Sequence, residues 1–236
     1  MFRNPYDFDV TIWSPQGRLH QVEYALEAVK QGAPTIGIKC ANFAVLVSFK
    51  RTSIDLALFQ KKIVEVDPYV GISFSGLTCD AKLLANFLRT ECLSYRYGYN
   101  RCIPLDHLVQ RLGKKMHMAT QRYNTRPYGV GILIAGCDEL GPHIYECSPS
   151  GNFFDCKAIA IGGRCQSART YLEKHLTEFP LCDHEETIKH GLKALQSTLP
   201  CDAILTQINV AIGLVGRNHR LQILDDDEVS NYLTSI

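Results

Sequence analysis

The sequence predicts an α+β fold, a four-layer αββα sandwich of two antiparallel sheets flanked by helices. Three observations predict it. Strand-like segments come in consecutive runs instead of alternating one-for-one with helices, which argues against a doubly wound βαβ sheet. Helical segments come in pairs between those runs. The strands carry apolar residues on both faces, as in Phe43-Ala44-Val45-Leu46-Val47, so each sheet is covered on both sides.

Taken in order, Leu19, Val22, Leu26 and Val29 share one helical face, with Ser14-Pro15 as a start signal and Gly32 as a stop. Because this helix precedes the first strand, it docks on the outside of the sandwich or on a neighbour. Strands follow at 36–39, 43–49, 63–66 and 70–74, the last two around Asp67-Pro68. Thr78 is placed to cap a long helix whose inner face is Leu84, Phe87, Leu88, Cys92 and Tyr95. A second helix spans 105–123. Strands resume at 128–137, 143–147 and 157–161, with Glu139-Leu140-Gly141-Pro142 as a turn. The next helix turns Ala168, Tyr171, Leu172, His175 and Phe179 inward. Another opens on Asp183-His184-Glu185-Glu186, a capping-box-like pattern, and buries Ile188, Leu192, Leu195 and Leu199. Strands at 208–215 and 220–224 and a short helix close the chain. With no Ser/Gly/Pro-rich linker and no repeat, residues 1–236 form one domain, 1–32 its N-terminal segment and helix, 33–236 the sandwich.

Composition narrows the function. The 236 residues are 46% hydrophobic, and 25 Lys plus Arg against 24 Asp plus Glu leave a net charge of +1. That balance offers no electrostatic footprint for nucleic acid and little repulsion against association. None of the ten cysteines forms a CxxC pair, which argues against a zinc ribbon or a thioredoxin-type site. The start lacks an apolar h-region, and the longest apolar run, near 41–49, is far short of the ~20 residues that span a bilayer. Reduced thiols in cytoplasm or nucleus, with no membrane contact, are expected.

Chemical motifs are sparse. Gly129-Val130-Gly131 lacks the third glycine of a dinucleotide fingerprint, and Gly162-Gly163 without Gly-Lys-Ser/Thr reads as a tight turn. The eight histidines show no HExxH, and His184 and His190 fall on different sides of their helix. Asp225-Asp226-Asp227-Glu228 reads as carboxylates at a helix N-terminus before Val229, Tyr232, Leu233 and Ile236, favoured there by the macrodipole. No metal or cofactor is expected. The most specific stretch is N-terminal: Tyr6-Asp7, then Thr11-Ile12-Trp13-Ser14-Pro15-Gln16-Gly17-Arg18, then His20-Gln21-Val22-Glu23-Tyr24-Ala25.

With those residues the sequence resembles the α-type subunits of the 20S proteasome. The resemblance extends over essentially the whole chain. It includes Gln60-Lys61-Lys62-Ile63, Ser75-Gly76-Leu77-Thr78, Asp80-Ala81, Arg126-Pro127-Tyr128-Gly129-Val130 and Ser167 to Glu173. Segments 1–7, 154–158 and 225–229 are similar to one member type in particular. The resemblance implies the N-terminal nucleophile hydrolase fold, the same αββα order read above.

Active β-type relatives in that family use an N-terminal threonine freed by self-cleavage after a glycine, its amine acting as base for its own hydroxyl. Here Ala33 takes that position after Gly32, Phe49 takes that of the supporting acid, and Gly162-Gly163-Arg164 replaces a Gly-Ser-Gly turn. Lys62 survives alone. The resemblance therefore implies a non-catalytic subunit that supports ring assembly, gating and activator docking. Tyr6, Asp7, Pro15 and Tyr24 match the gate cluster, although the usual Tyr-Asp-Arg reads Tyr6-Asp7-Phe8. Lys62, with Gly76 and Leu77, matches the pocket between adjacent subunits that receives activator tails. Implied partners are other α subunits in a heptameric ring, β-ring subunits, and regulatory-particle ATPases or other activators. The alternatives are a self-processing amidohydrolase of the same fold, with a mature N-terminus at Thr35, and a free-standing binding module.

Overall fold

Two-faced strands need cover on both sides, and the computed structural model, which describes residues 5–51, 60–200, 204–217, 219–224 and 226–234, supplies it. In chain order the elements are α1 (His20–Gln31), β1 (Thr35–Lys39), β2 (Phe43–Phe49), β3 (Ile63–Asp67) and β4 (Val70–Gly76). A helical pair, α2 (Thr78–Tyr99) and α3 (Leu105–Thr120), precedes β5 (Val130–Asp138), β6 (Gly141–Cys147), β7 (Phe153–Asp155) and β8 (Ala158–Ile161). Then come α4 (Cys165–Lys174), α5 (His184–Gln196), β9 (Val210–Gly216), β10 (His219–Ile223) and α6 (Asp226–Leu233).

One sheet has the order β10-β9-β2-β1-β8 and the other β3-β4-β5-β6-β7, with every neighbouring pair antiparallel. The alternation along β2 sorts its side chains into two layers. Val45 and Val47 join Ile188, Leu192 and Leu195 of α5. Ala44 and Leu46 join Leu133, Ala135 and Ile144 between the sheets. On the outer face of the second sheet, Ile72, Phe74, Ile132 and Ile134 meet Leu84 and Leu88 of α2 and Leu108, Leu112 and Met116 of α3. Each such side chain contributes ~1.5–3 kcal/mol by leaving water, so three stacked cores hold four layers together.

Several element ends differ from the sequence reading. Residues 14–18 close a turn in which Gly17 N and Arg18 N donate to Ser14 O (2.9 Å) and Ser14 Oγ (3.1 Å), so α1 begins only at His20. Thr78 lies inside α2 and does not cap it; its hydroxyl donates to Gln60 Oε1 at 3.1 Å. Asp183 occupies the cap position of α5 without a side-chain cap bond. Helix α3 stops at Thr120, where Thr125 Oγ1 donates to the Ala119 carbonyl at 3.0 Å and satisfies one of the helix's terminal acceptors. Helix α4 stops at Lys174, and Phe179 is buried from a separate 3-10 turn (Phe179–Leu181). The sequence reading omits β7, a three-residue exposed edge. Expectations for Met1–Asn4, Cys201, Asp225 and Ile236 lie outside the described residues.

Candidate functional site

The N-terminal segment folds back along α1. Gln21 and Tyr24 sit three residues apart, hence on one side of the helix. The Gln21 amide donates to the Asp7 carbonyl, and Tyr24 Oη donates to Asp7 Oδ2 at 3.1 Å. Asp9 accepts from Thr11 N (2.8 Å) and Thr11 Oγ1 (2.6 Å), and from Asn124 N (3.3 Å) in the loop after α3. Val10 is buried between these contacts. Arg18 forms a two-pronged pair with Glu23 in the first turn of α1, at 2.7 and 2.5 Å. Of the four residues expected at the gate, the structure thus pairs Asp7 with Tyr24. Tyr6 is exposed at the start of the segment, and Pro15 is exposed in the 14–18 turn. Phe8, in place of the usual arginine, is 72% exposed. Asp9 and Val10 escaped sequence reasoning because neither belongs to a periodic face.

Helix α1 covers its own sandwich. Val22, Ala25 and Val29 are buried, whereas Leu19 and Leu26 stay half-buried. Val29 meets Gly131 of β5, where an added Cβ would stand 2.8 Å from Val29 Cγ1. A Cβ at Gly32 would collide with Gly76 N and Ser75 Oγ, so only glycine lets the helix end approach β4 this closely. Ser75 Oγ seals the approach by donating to Val29 O at 2.9 Å.

Gly32, Ala33 and Pro34 connect α1 to β1. Ala33 is buried, and Gly163 N donates to Gly32 O at 2.9 Å while Phe49 N donates to Pro34 O at 3.0 Å. The methyl of Ala33 can neither attack a carbonyl nor take a proton. Thr35, the nearest hydroxyl in the chain, pairs with Ser48 and Ile161 on either side, and its Oγ1 lies 2.5 Å from Ser73 Oγ. A cleft of about 600 Å³ opens beside Gly162 between α1 and α4, lined among others by Leu26, Val29, Gly131 and Cys147. Burial pushes the Cys147 thiol far above its ordinary range, which keeps it protonated and unreactive. Across the cleft, Arg169 Nε donates to Ala160 O at 2.8 Å and its Nη2 lies 3.6 Å from Glu146, binding α4 to β8 and β6.

The three residues expected at the tail pocket share one end of the second sheet. Lys62 precedes β3, and Gly76-Leu77 leaves β4, its neighbour. Lys62 is only 5% exposed, with Nζ 4.9 Å from the centre of the Phe74 ring. Burial, and secondarily the Arg51 guanidinium, pull its pKa below the ordinary lysine value. Gly76 has φ +111°, a region L side chains avoid, and a Cβ there would strike the Gly129 carbonyl. Leu77 is half exposed, and its N–H donates to that same carbonyl at 2.9 Å.

Two motif segments are joined directly beside this end. Asp80, 2% exposed in the first turn of α2, accepts from Arg126 Nη1 (2.6 Å), Arg126 Nη2 (2.8 Å) and Gly129 N (3.0 Å). The Arg126 hydrogen bonds hold its carboxyl below the ordinary value of 3.8.

With that geometry in place, comparison with known proteins is specific. Residues 29–213 match the family described as "Proteasome subunit", and residues 6–28 match the N-terminal signature of A-type proteasome subunits. The chain is 51% identical to "Proteasome subunit alpha type-1" of Dictyostelium discoideum, over 99% of this chain and 94% of that protein. It is 49% identical to the protein of the same name from Drosophila melanogaster, over 99% and 85%. It is also 44% identical to "Probable proteasome subunit alpha type-6" of Schizosaccharomyces pombe, over 100% and 87%.

Proposed function

This chain belongs to the proteasome subunit family and carries its A-type N-terminal signature, and we propose that it serves as a non-catalytic α-ring subunit of the 20S core particle. One observation carries the reading. A methyl group, that of the buried Ala33 between α1 and β1, stands where the active relatives of this fold need a hydroxyl on a freed amine. Cleavage before Ala33 would discard α1, whose packing on β4 and β5 completes the sandwich. A mature N-terminus at Thr35 would free a residue that is paired on both sides and buried.

In this reading the subunit restricts entry to a chamber whose chemistry belongs to β-type partners. The Asp7–Tyr24 pair anchors the segment leading to the N-terminus against α1, which suits the gate cluster of Tyr6, Asp7, Pro15 and Tyr24. Lys62, Gly76 and Leu77 form one wall of a pocket completed by an adjacent subunit, with the lysine as counter-charge to the carboxylate of an inserted tail. The partners are the other α subunits of a heptameric ring, the β ring, and activators such as regulatory-particle ATPases, in cytoplasm and nucleus. Among the described residues no helix is long and apolar enough to cross a membrane.

The test is to purify the assembly containing a C-terminally tagged copy, weigh it by native mass spectrometry, and treat it with an electrophilic threonine-directed peptide probe. The expected outcome is a particle of core size in which this chain keeps residues 5–32 and stays unlabelled while β-type partners are labelled. A probe adduct on this chain, or a mature N-terminus at 33 or 35, would instead establish a self-processing hydrolase.

A further inference from the structure

Outside the first sheet, in the layer of α4 and α5, lies a side-chain cluster that none of the roles above uses. Helix α4 ends at Lys174, and the chain turns through His175 and Glu178 into the Phe179–Leu181 turn before returning along α5. That return brings His190 back over the turn. His175 Nδ1 lies 2.8 Å from Glu178 Oε2, and His190 Nε2 lies 3.8 Å from the same oxygen. One donor atom from each of the three residues lies within 4.8 Å of the other two.

The surroundings hold these groups in place. The buried Phe179 ring packs edge-on against His190, with centres 5.5 Å apart at 77°. Tyr171 Oη lies 3.0 Å from His190 Nδ1. If Nδ1 carries the imidazole proton and donates it to Tyr171, the Nε2 lone pair is left facing Glu178. A ligating histidine is typically oriented in this way, through its other nitrogen. A cleft of about 430 Å³ opens beside Glu178 and His190 and gives an approach from solvent.

We propose that His175, Glu178 and His190 bind a divalent transition metal of the zinc class through Nδ1, Oε2 and Nε2 respectively. Two imidazoles and one carboxylate are the donor set that suits such an ion, with water in the fourth position. Bond lengths of ~2.0–2.2 Å place tetrahedral donors roughly 3.3–3.6 Å apart. The two separations from Glu178 Oε2, 2.8 and 3.8 Å, bracket that spacing, and rotation of the two imidazoles closes the site. With the metal on His175 Nδ1, that imidazole carries its proton on Nε2, and any proton on Nδ1 is released to solvent. Lys189 and Lys193 line the same opening and oppose a cation, which sets the expected affinity at micromolar. The inference is independent of the ring-subunit reading. It was invisible in the sequence because His190 lies fifteen positions beyond His175, on another helix.

The test titrates the full reduced chain with Zn²⁺ by calorimetry and with Co²⁺ by visible absorption, comparing wild type with a His175→Asn/His190→Asn variant. Wild type is expected to bind one equivalent more than the double variant, without the charge-transfer band of a thiolate ligand at that site. Glu178→Gln and His190→Asn should each weaken binding at least tenfold, and Tyr171→Phe about tenfold. Circular dichroism checks that the variants fold. Should the double variant unfold, the imidazole nitrogen resonances of wild type decide: Zn²⁺ must shift His175 Nδ1 and His190 Nε2. Equal stoichiometry in wild type and a folded double variant, or unmoved resonances, would overturn the proposal.

Discussion

Position 33 carries a buried methyl group, and a hydroxyl added there would still lack a carboxylate at position 49, which is Phe49. Ala33→Thr is therefore expected to leave fluorogenic-peptide hydrolysis by this chain at background, with an unprocessed N-terminus by mass spectrometry. Asp80 offers a different test. Its carboxyl is held below 3.8 when folded, so the folded chain binds that proton less tightly than the unfolded one. The stabilisation is fully present above about pH 4 and is lost as pH falls through the folded value. Asp80→Asn should cost about 1–3 kcal/mol at pH 7 in urea unfolding, and the gap to wild type should shrink on acidification. Gly76→Ala should cost at least ~1–3 kcal/mol, from the backbone strain alone, before its clash with the Gly129 carbonyl is counted. Lys62→Ala in the assembled particle should weaken a single-tail probe at this pocket by ~1.5–3 kcal/mol, leaving assembly and peptidase activity intact; unchanged affinity would remove Lys62 from the pocket. Of these residues, the sequence singles out Ala33 and Lys62 only through the resemblance of the motifs around them. The burial of Asp80 was not legible there, because a carboxylate on an apolar helix face makes sense only once Arg126, 46 residues away, is seen to meet it.

Among the elements, α1 separates folding from association. Val22 is already covered by its own chain, so Val22→Asp should unfold the isolated protein, whereas Leu26 is half-buried at the edge of the cleft beside α4. Leu26→Asp is expected to leave circular dichroism and thermal unfolding near wild type while preventing incorporation into a ring, measured by native gel. Normal incorporation of that variant would mean that neighbours do not read this face. The order of strands and helices was legible because long apolar periodicities survive tertiary packing. Element ends were not. The hydroxyl of Thr78 is drawn to Gln60 instead of its own helix, and α4 ends at Lys174, so Phe179 reaches the core from a separate 3-10 turn although it continues the helical spacing. The three residues of β7 are too few, and too exposed, to show a period at all.

For the molecule as a whole, the described cysteines are all free, and their surroundings rank them. Cys79 and Cys102 are exposed, whereas burial pushes the Cys92 thiol up to about 12 and that of Cys147 higher still. Alkylation of the native unassembled chain, followed by peptide mass spectrometry, should label Cys79 and Cys102 first and Cys92 and Cys147 only on unfolding. Recovery of stoichiometric cross-linked cysteine pairs under cytosolic redox conditions would contradict this. The two sheets differ in another respect, which concerns time. The second sheet takes its strands in the order in which they are made, β3 through β7, and needs nothing beyond residue 155. The first sheet needs β9 alongside β2 in a seven-residue register, so its central strand β2, paired with β1 on one side, keeps an open edge on the other until residue 216 has been synthesised. A ribosome that pauses between those points holds one sheet able to form while its inner face, at Leu133, Ala135 and Ile144, has no complete partner sheet to lie against. During that interval the chain is more exposed to aggregation and to chaperones than at any later stage, and a slow codon near residue 200 would lengthen it.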